Sequence, residues 1–469
     1  MIFEVYNTKT RVASITASED AWLREILSHT RSVRGYGGAT KGYQQLCMYD
    51  PVERTFPSGL LPIVTDMARE KDLEVLFIDK RVKPCLPKEV KIPFLEDPIR
   101  GRFQKEAIEA GVTWGRGIWW CPTAFGKTNL AVGIGKRIPC KWAFLVDETS
   151  LLDQTIDRWN AWDLDNEPAG ILGAGRWEDA RFVVATYQTI MARQNEPVVQ
   201  RWIESIGGLL MDEVHVVAAP RYYETSMLFA NAYYRLGMSA TPLSRGAWEN
   251  LHVYAATGRV IYRATIPEMV DAGVLSMPEV DMIETPGTKE SFAATWQGVY
   301  GELIVRNTQR NNEVIARAVK AEKPCIIFVK QVSHGEDLLQ RAKKQGLKVE
   351  LLYGEDSIKA RRLAIAKLQS GELDTLITNK IFQKGVDIPK LMSVIIAAGG
   401  ASVVDSLQRV GRGMRLAPGK KLFTVIDFMD RGHPWLLRHS RERKKAYKDA
   451  GYLFADKGNQ PTLFTTPPK

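Results

Sequence analysis

The sequence predicts an α/β protein with two parallel-sheet blocks in tandem behind a small amino-terminal α/β module. Three observations predict it. Short apolar runs alternate with amphipathic segments from about 95 to 245 and again from about 322 to 430, the pattern of parallel strands covered on both faces by helices. At 469 residues the chain exceeds one ordinary core, so two or three domains are expected. The proline-rich stretch from Lys83 through Pro84 and Pro87 to Pro93 reads as a linker between the module and the first block.

The elements follow in order. In the module, Ala21 to Ser28 has helical spacing and Val75-Leu76-Phe77-Ile78 reads as a strand. In the first block, Gly117 to Trp120 is a buried strand, Asn129 to Arg137 a helix and Leu209-Leu210-Met211 a strand. Leu236-Gly237-Met238 reads as a further strand. Trp119, Trp120 and Trp142 lie in strand-like runs and are assigned to the core. A hairpin is expected around Thr257-Gly258 and a helix near 300–320. The resulting division is a module at 1–92, a first block at 93–250, a connector at 251–321, a second block at 322–455 and a flexible tail at 456–469.

With 45% hydrophobic and 25% charged residues, the chain has the composition of a soluble globular protein. Its formal charge of +10 favours a polyanionic partner, although many basic proteins bind no nucleic acid. Cys47, Cys85, Cys121, Cys140 and Cys325 form no CxxC pair, which points to reduced thiols in the cytoplasm and away from zinc. Neither a signal peptide nor an apolar run approaching ~18 residues is evident, so no membrane span is expected.

Pro122-Thr123-Ala124-Phe125-Gly126-Lys127-Thr128 lies between a strand and a helix, where backbone N–H groups and the helix dipole face an anion. In a phosphate-binding loop Lys127 would bridge the β- and γ-phosphates of ATP and Thr128 would hold Mg²⁺. Thr123 and Gly126 would line the cradle. Cys121 stands where the strict pattern has glycine, and Ala124-Phe125 replaces small residues. The same segment also reads as an ordinary strand–turn–helix.

Asp212-Glu213-Val214-His215 follows a strand, at the edge where open α/β sheets bind ligands. Asp212 is a candidate Mg²⁺ ligand, because that cation prefers oxygen donors and keeps water. Glu213 would orient and deprotonate an attacking water. His215 would sense the γ-phosphate, with Ser239 and Thr241 of Ser239-Ala240-Thr241 bonded to the acidic box. A helix N-cap with an acidic neighbour is the plain alternative.

Gly-Lys-Thr, Asp-Glu-Val-His, Ser-Ala-Thr and Gln408-Arg409-Val410-Gly411-Arg412-Gly413-Met414-Arg415 occur in this order over about 95 to 430. The set resembles the superfamily 2 DExH helicases and translocases, whose motor is a pair of RecA-like domains clamping MgATP. The resemblance implies that Gln104 reads the adenine edge. It places Thr149, Gln154, Thr186, Gln188 and Thr378 near a nucleic-acid backbone. Gly385 and Asp387, within Lys384 to Pro389, join that contact to the nucleotide, which Gln408, Arg412 and Arg415 approach. Forked, permanently charged guanidinium groups suit phosphate oxygens. Gly258 to Arg263, Ile266 to Met269 and Gly273 to Pro278 resemble the connector of phage branch-migration helicases of the UvsW type and the related XPB group.

That likeness implies an ATP-dependent DNA helicase or translocase acting on forks and Holliday junctions in recombination or repair. Its partner would be DNA bound without sequence preference, mainly through phosphates. The stretch with Arg31, Arg34, Tyr36, Lys41 and Tyr43 reads either as a loop that grips backbone and stacks a base or as a solvated loop. Basic residues from Arg438 to Lys448 have helical spacing and read either as a solvated face or as a patch for duplex arms. An RNA helicase, the motor of a nuclease or restriction complex and a catalytically idle DNA clamp are the rival readings.

Overall fold

The structure is a computed structural model that describes residues 1–34, 40–162, 166–243, 246–285, 290–353, 356–379, 388, 390–400, 411, 413–416, 420 and 422–455. It divides into two compact units, Met1–Thr265 and Ile266–Lys469.

The first unit contains the module and the first block. In the module, β1 (Ile2–Val5), β2 (Lys9–Ser14), β5 (Thr55–Pro57) and β6 (Leu76–Asp79) form a sheet in the order β5-β2-β1-β6. A separate antiparallel ribbon pairs β3 (Ser28–Arg34) with β4 (Thr40–Cys47). The stretch expected as a loop therefore carries two strands, in which Thr30, Val33, Thr40 and Tyr43 are residue types that favour extended backbone. Helix Ala17–Ile26 begins in a capping box, with Thr16 and Glu19 satisfying each other's backbone N–H groups.

The first block forms a sheet from β7 (Arg116–Trp120), β8 (Trp142–Val146), β9 (Gly170–Gly173), β10 (Arg176–Glu178), β11 (Phe182–Thr186), β12 (Gly208–Asp212), β13 (Tyr234–Ser239) and β14 (Val260–Arg263). The order is β10-β9-β11-β8-β12-β13-β7-β14. Every pairing is parallel except β9 with β10. Trp119 and Trp142 are fully buried, as their apolar strands require, while Trp120 is half-buried.

No hairpin forms at Thr257-Gly258. Helix Ala247–Ala256 ends there, and the chain passes through Gly258 at φ 138° into β14, parallel to β7. A short turn signal thus serves a helix-to-strand corner, where glycine permits the left-handed backbone.

In the second unit, β15 (Met277–Glu284), β16 (Cys325–Phe328), β17 (Val349–Leu352), β18 (Thr375–Thr378), β19 (Ser393–Ile396), β20 (Leu422–Met429) and β21 (Leu453–Phe454) form one sheet. Its order is β17-β18-β16-β19-β20-β15-β21, parallel throughout. The expected connector 251–321 is therefore shared out: β14 completes the first sheet, and β15 pairs with β20 inside the second. Alternating burial along Met277–Glu284 lets it pack as a sheet strand. The helix expected near 300–320 is Thr308–Lys320, capped by the Asn307 side chain.

Helix Pro434–Asp449 carries the basic run, but Arg443 does not face solvent. It is 1% exposed and gives two bonds to the Asp427 carboxylate, at 2.8 and 3.0 Å, with Tyr447 adding a third at 2.9 Å. A second buried pair joins Arg310 to Asp430 at 2.7 and 3.1 Å.

His334 is fully buried, with Nε2 3.0 Å from Asn311 Oδ1, so Nε2 carries the proton. Burial, then the Arg310 charge, pushes its pKa down to about 3. A histidine held neutral in the fold but protonated near 6.5 when unfolded contributes stability that is complete above about pH 6.5 and is lost as pH falls toward 3. After correction for intrinsic exchange, amide protection in helix Val332–Lys344 should fall at least about tenfold between pH 6.5 and 4.5. In His334→Gln this slope should flatten; an unchanged slope would assign it to other groups.

Candidate active site

Strand order builds the site. β13 lies between β12, which ends at Asp212, and β7, which leads into the phosphate loop. Its last residue, Ser239, thus stands between the two segments. The backbone is closed there by Cys121 N donating to Ser239 O at 3.1 Å. Cys121 is fully buried, and its thiol pKa is pushed up by that burial. It occupies the place of the expected glycine by turning its side chain into the core.

In the loop, Ala124 has φ 69° and Gly126 φ 99°, two left-handed positions on either side of Phe125, whose amide donates to Pro122 O at 3.2 Å before helix Lys127–Arg137 starts. Phe125 turns inward: it is 1% exposed, with its ring 6.1 Å from Tyr262. Filling the core explains a bulky residue where the family usually has a small one. Gln104, 3% exposed, donates from Nε2 to Phe125 O at 2.9 Å and so braces the loop.

Glu213 is the centre. Its backbone is left-handed at φ 43°, ψ 54°, and its amide donates to Asp212 Oδ1 at 2.9 Å. The carboxylate is nearly buried. Lys127 Nζ lies 3.4 Å from Oε1, while Ser239 Oγ donates to Oε2 at 3.0 Å. His215 Nδ1 is 2.9 Å from Ser239 Oγ and 3.4 Å from Glu213 Oε2. Thr241 N donates to Ser239 Oγ at 3.1 Å. One serine hydroxyl therefore joins the acid, the histidine and the Ser-Ala-Thr backbone.

Two family models match this chain: type III restriction enzyme, res subunit, over residues 101–244, and helicase conserved C-terminal domain over 309–417. Together they span more than half of it. The chain belongs to the superfamily 2 helicases. The putative DNA 3'-5' helicase Rad25 of Haloarcula marismortui is 27% identical over 67% of this helicase and 50% of its own length. The ATP-dependent DNA helicase uvsW of phage T4 is 22% identical over 75% of this chain and 72% of its own. This helicase thus spans half of the archaeal relative and nearly three quarters of the phage one. A fragment of a putative type I restriction HsdR subunit from Vibrio vulnificus shares the fold, with TM-score 0.52, 18% identity and coverage of 88% and 75% of the two chains. A helicase of this family uses ATP, and both RecA-like domains expected for it are present as parallel sheets.

The remaining predicted residues of the helicase are placed unevenly. Thr123 and Thr128 are half-buried at the loop. Thr149 and Gln154 are exposed at the start of helix Ser150–Ala161, and Gln188 is exposed with Nε2 bonded to Asp147 O at 3.1 Å. Thr186 is 2% exposed, its hydroxyl 2.7 Å from that of Thr189. Thr378 is fully buried at the end of β18. Arg31 is tied to the first block: it pairs with Glu249 at 3.0 Å and lies 4.4 Å over the Trp248 ring. Arg34 and Lys41 lie on the ribbon strands, with side chains outside the described part. Arg415 bridges to Leu275 within the second unit. Gly385, Asp387, Gln408 and Arg412 lie outside the described residues. Among the described residues, no helix is long and apolar enough to cross a membrane.

Trp120 was legible only as core. Its indole Nε1 donates to Ala240 O at 3.0 Å, pinning the Ser-Ala-Thr segment against the strand that feeds the loop. A tryptophan directly before the loop was the available signal.

Two substitutions test this geometry. Gly126→Ala would place a Cβ 2.4 Å from Gln104 Nε2 at a left-handed position, so ATP affinity should fall about tenfold or more, measured by titration with a fluorescent nucleotide. Ser239→Ala should lower kcat for ATP hydrolysis about 10- to 100-fold with little change in KM, since it positions Glu213 without holding substrate. An equal rise in KM would mean that Ser239 supports binding instead.

Proposed function

We propose that this helicase hydrolyses MgATP to move along DNA and remodel branched DNA, such as forks and four-way junctions, in replication, recombination or repair. The observation that carries the hydrolytic part is the network around Glu213: a near-buried carboxylate held against Lys127 and Ser239. Lys127 and the loop amides bind the β- and γ-phosphates, Glu213 takes the proton of the attacking water, and His215 with Ser239 reports the state of that carboxylate to Thr241. Asp212 and Thr128 offer a carboxylate and a hydroxyl, hard oxygen donors that fit Mg²⁺, and would hold it to neutralise phosphate charge. Arg412 and Arg415 are proposed to supply further positive charge to the phosphates. Gln104 is proposed to couple the adenine edge to the loop that it braces.

DNA as the track draws support from the relatives named as DNA helicases and from the net charge of +10. Thr149, Gln154 and Gln188 are exposed and are proposed to follow the phosphate backbone; Thr186 and Thr378 would support that path from beneath. The module's contribution to branch engagement is supported by the ribbon, which Arg31 fixes to the first block. The model described as a restriction res subunit favours a second reading, the motor of a nuclease complex.

ATP hydrolysis should be compared with no nucleic acid, duplex, single strand, fork, four-way junction and structured RNA. The fork or junction should stimulate most; strongest stimulation by RNA, or none by any, overturns the reading. Lys127→Ala should lower turnover about 10²–10³-fold while retaining much of the DNA binding, because phosphate contacts are distributed. Specific cleavage dependent on a second subunit would favour the nuclease motor.

A further inference from the structure

We propose that Phe292, Trp435 and Trp296 form a stacking shelf for an unpaired base of single-stranded DNA at the carboxyl edge of the second sheet. The proposal rests on the reading of the protein as a DNA-acting helicase and adds a contact outside the sequence motifs.

The position comes from three strand ends. Tyr300 Oη donates to Ala398 O at 2.6 Å, just past β19. Lys330 follows β16, its Nζ 5.6 Å from the Tyr300 ring. Ser291 N donates to Gly432 O at 3.1 Å, just past β20, which ties the backbone before Phe292 to the chain that leads into His433. Ligands of open α/β sheets bind outside these carboxyl ends. Thr378, proposed to support the nucleic-acid path, ends β18 on the same edge, paired with Phe328 of β16.

The rings of Tyr300, Trp296, Trp435, His433 and His439 form a graded cluster, and Phe292 lies four residues before Trp296, outside these ring contacts. Tyr300 is 2% exposed and anchors the shelf with Val299, Ile304 and Leu436. Trp296 rests on that base, 5.7 Å from Tyr300, 4.8 Å from His439 and 6.5 Å from Trp435. Trp435 is half-buried, 4.6 Å from His433. Phe292 is 90% exposed. Such exposure costs solvation without contributing to the core.

Charge selects the occupant. Lys330, Arg438 and Arg441 are exposed around the shelf. Three carboxylates near the shelf are engaged, while Glu290 is exposed: Glu302 accepts from Ser291 Oγ at 2.6 Å, Glu442 lies 3.7 Å from Arg438, and Asp430 holds Arg310. His439 has its pKa pushed down to about 4, first by burial and then by Arg438, Arg443 and Lys330. Flat rings rimmed by cations match a base with its flanking phosphates, because any base has a π-face and the cations follow the backbone. A purely apolar protein partner would not use the rim.

The test uses the full chain and fluorescence anisotropy at fixed salt, comparing an oligothymidine with an abasic strand of equal length. Wild type should prefer the base-bearing strand. Phe292→Ala should weaken that binding about 5- to 100-fold, leave the abasic strand unchanged and keep duplex-stimulated ATP hydrolysis. Phe292→Tyr should restore the preference. Equal affinity for both strands, or no effect of Phe292→Ala, overturns the shelf; continued stimulation by duplex DNA would then leave the helicase reading standing. Failure of every DNA to bind or stimulate overturns both. If Phe292→Ala turns a self-associating protein into a monomer with unaltered DNA affinity, the rings are a contact between copies and the proposal fails.

Discussion

The first unit depends on one constraint: Glu213 must keep a carboxylate in a nearly closed space, at the end of a strand, aimed at the phosphate loop. Its left-handed backbone costs roughly 1–2 kcal/mol for a residue with a Cβ. The surroundings over-determine that conformation. Asp212 caps the Glu213 amide, and Val214 packs so tightly under β13 that a Cβ on Gly237 would lie 2.5 Å from Val214 Cγ2. Lys127, Ser239 and His215 then enclose the acid. Burying a carboxylate this far is tolerable only because charge and hydroxyl partners replace its water.

This arrangement also explains what could be read from the sequence. The loop, the acidic box and Ser-Ala-Thr are each continuous segments at strand ends, so local pattern located them and parallel topology brought them together. Contacts made at a distance were harder to see. That Gln104 braces Phe125, and that Trp120 holds Ala240, depends on which neighbours the fold supplies. The resemblance placed Thr186 near a nucleic-acid backbone, but nothing in the sequence showed that Thr189, three residues later, meets its hydroxyl inside the protein. Arg443 had the spacing of a solvated face, but Asp427 sixteen residues earlier buries it. Polar residues have no periodic signature that separates a satisfied interior from an open surface.

Helix Ala247–Ala256 shows why the module boundary in sequence is not a boundary in structure. Ala255 belongs to the module's core with Phe3, Leu23 and Leu60, whereas Val253 and Ala256 belong to the motor core with Val214 and Val217. A Cβ on Gly59 would collide with Tyr254 O at 2.0 Å, so the module approaches the helix backbone directly. Arg31 adds an ion pair to Glu249 from the ribbon. Alone, that half-exposed pair would count for little. On a packed helix it orients the ribbon relative to the segment that follows Glu213. The prolines of 83–93 separate two parts of the chain whose cores meet elsewhere.

In the second unit a different problem is solved with similar means. Its carboxyl edge brings the buried Arg310 and Arg443 close to the exposed Lys330. Arg310 and Arg443 are buried there, and each is neutralised by a bidentate aspartate, Asp430 and Asp427. Buried pairs of this kind add little net stability, because desolvation offsets their attraction, while loss of one partner is costly. What they supply is geometry. Arg310 also reaches Ala397 O and Arg443 reaches Gly400 O, so each guanidinium fixes the chain leaving β19 to a helix on the sheet. The edge can therefore carry exposed cations and aromatic rings on a backbone whose position is set from within.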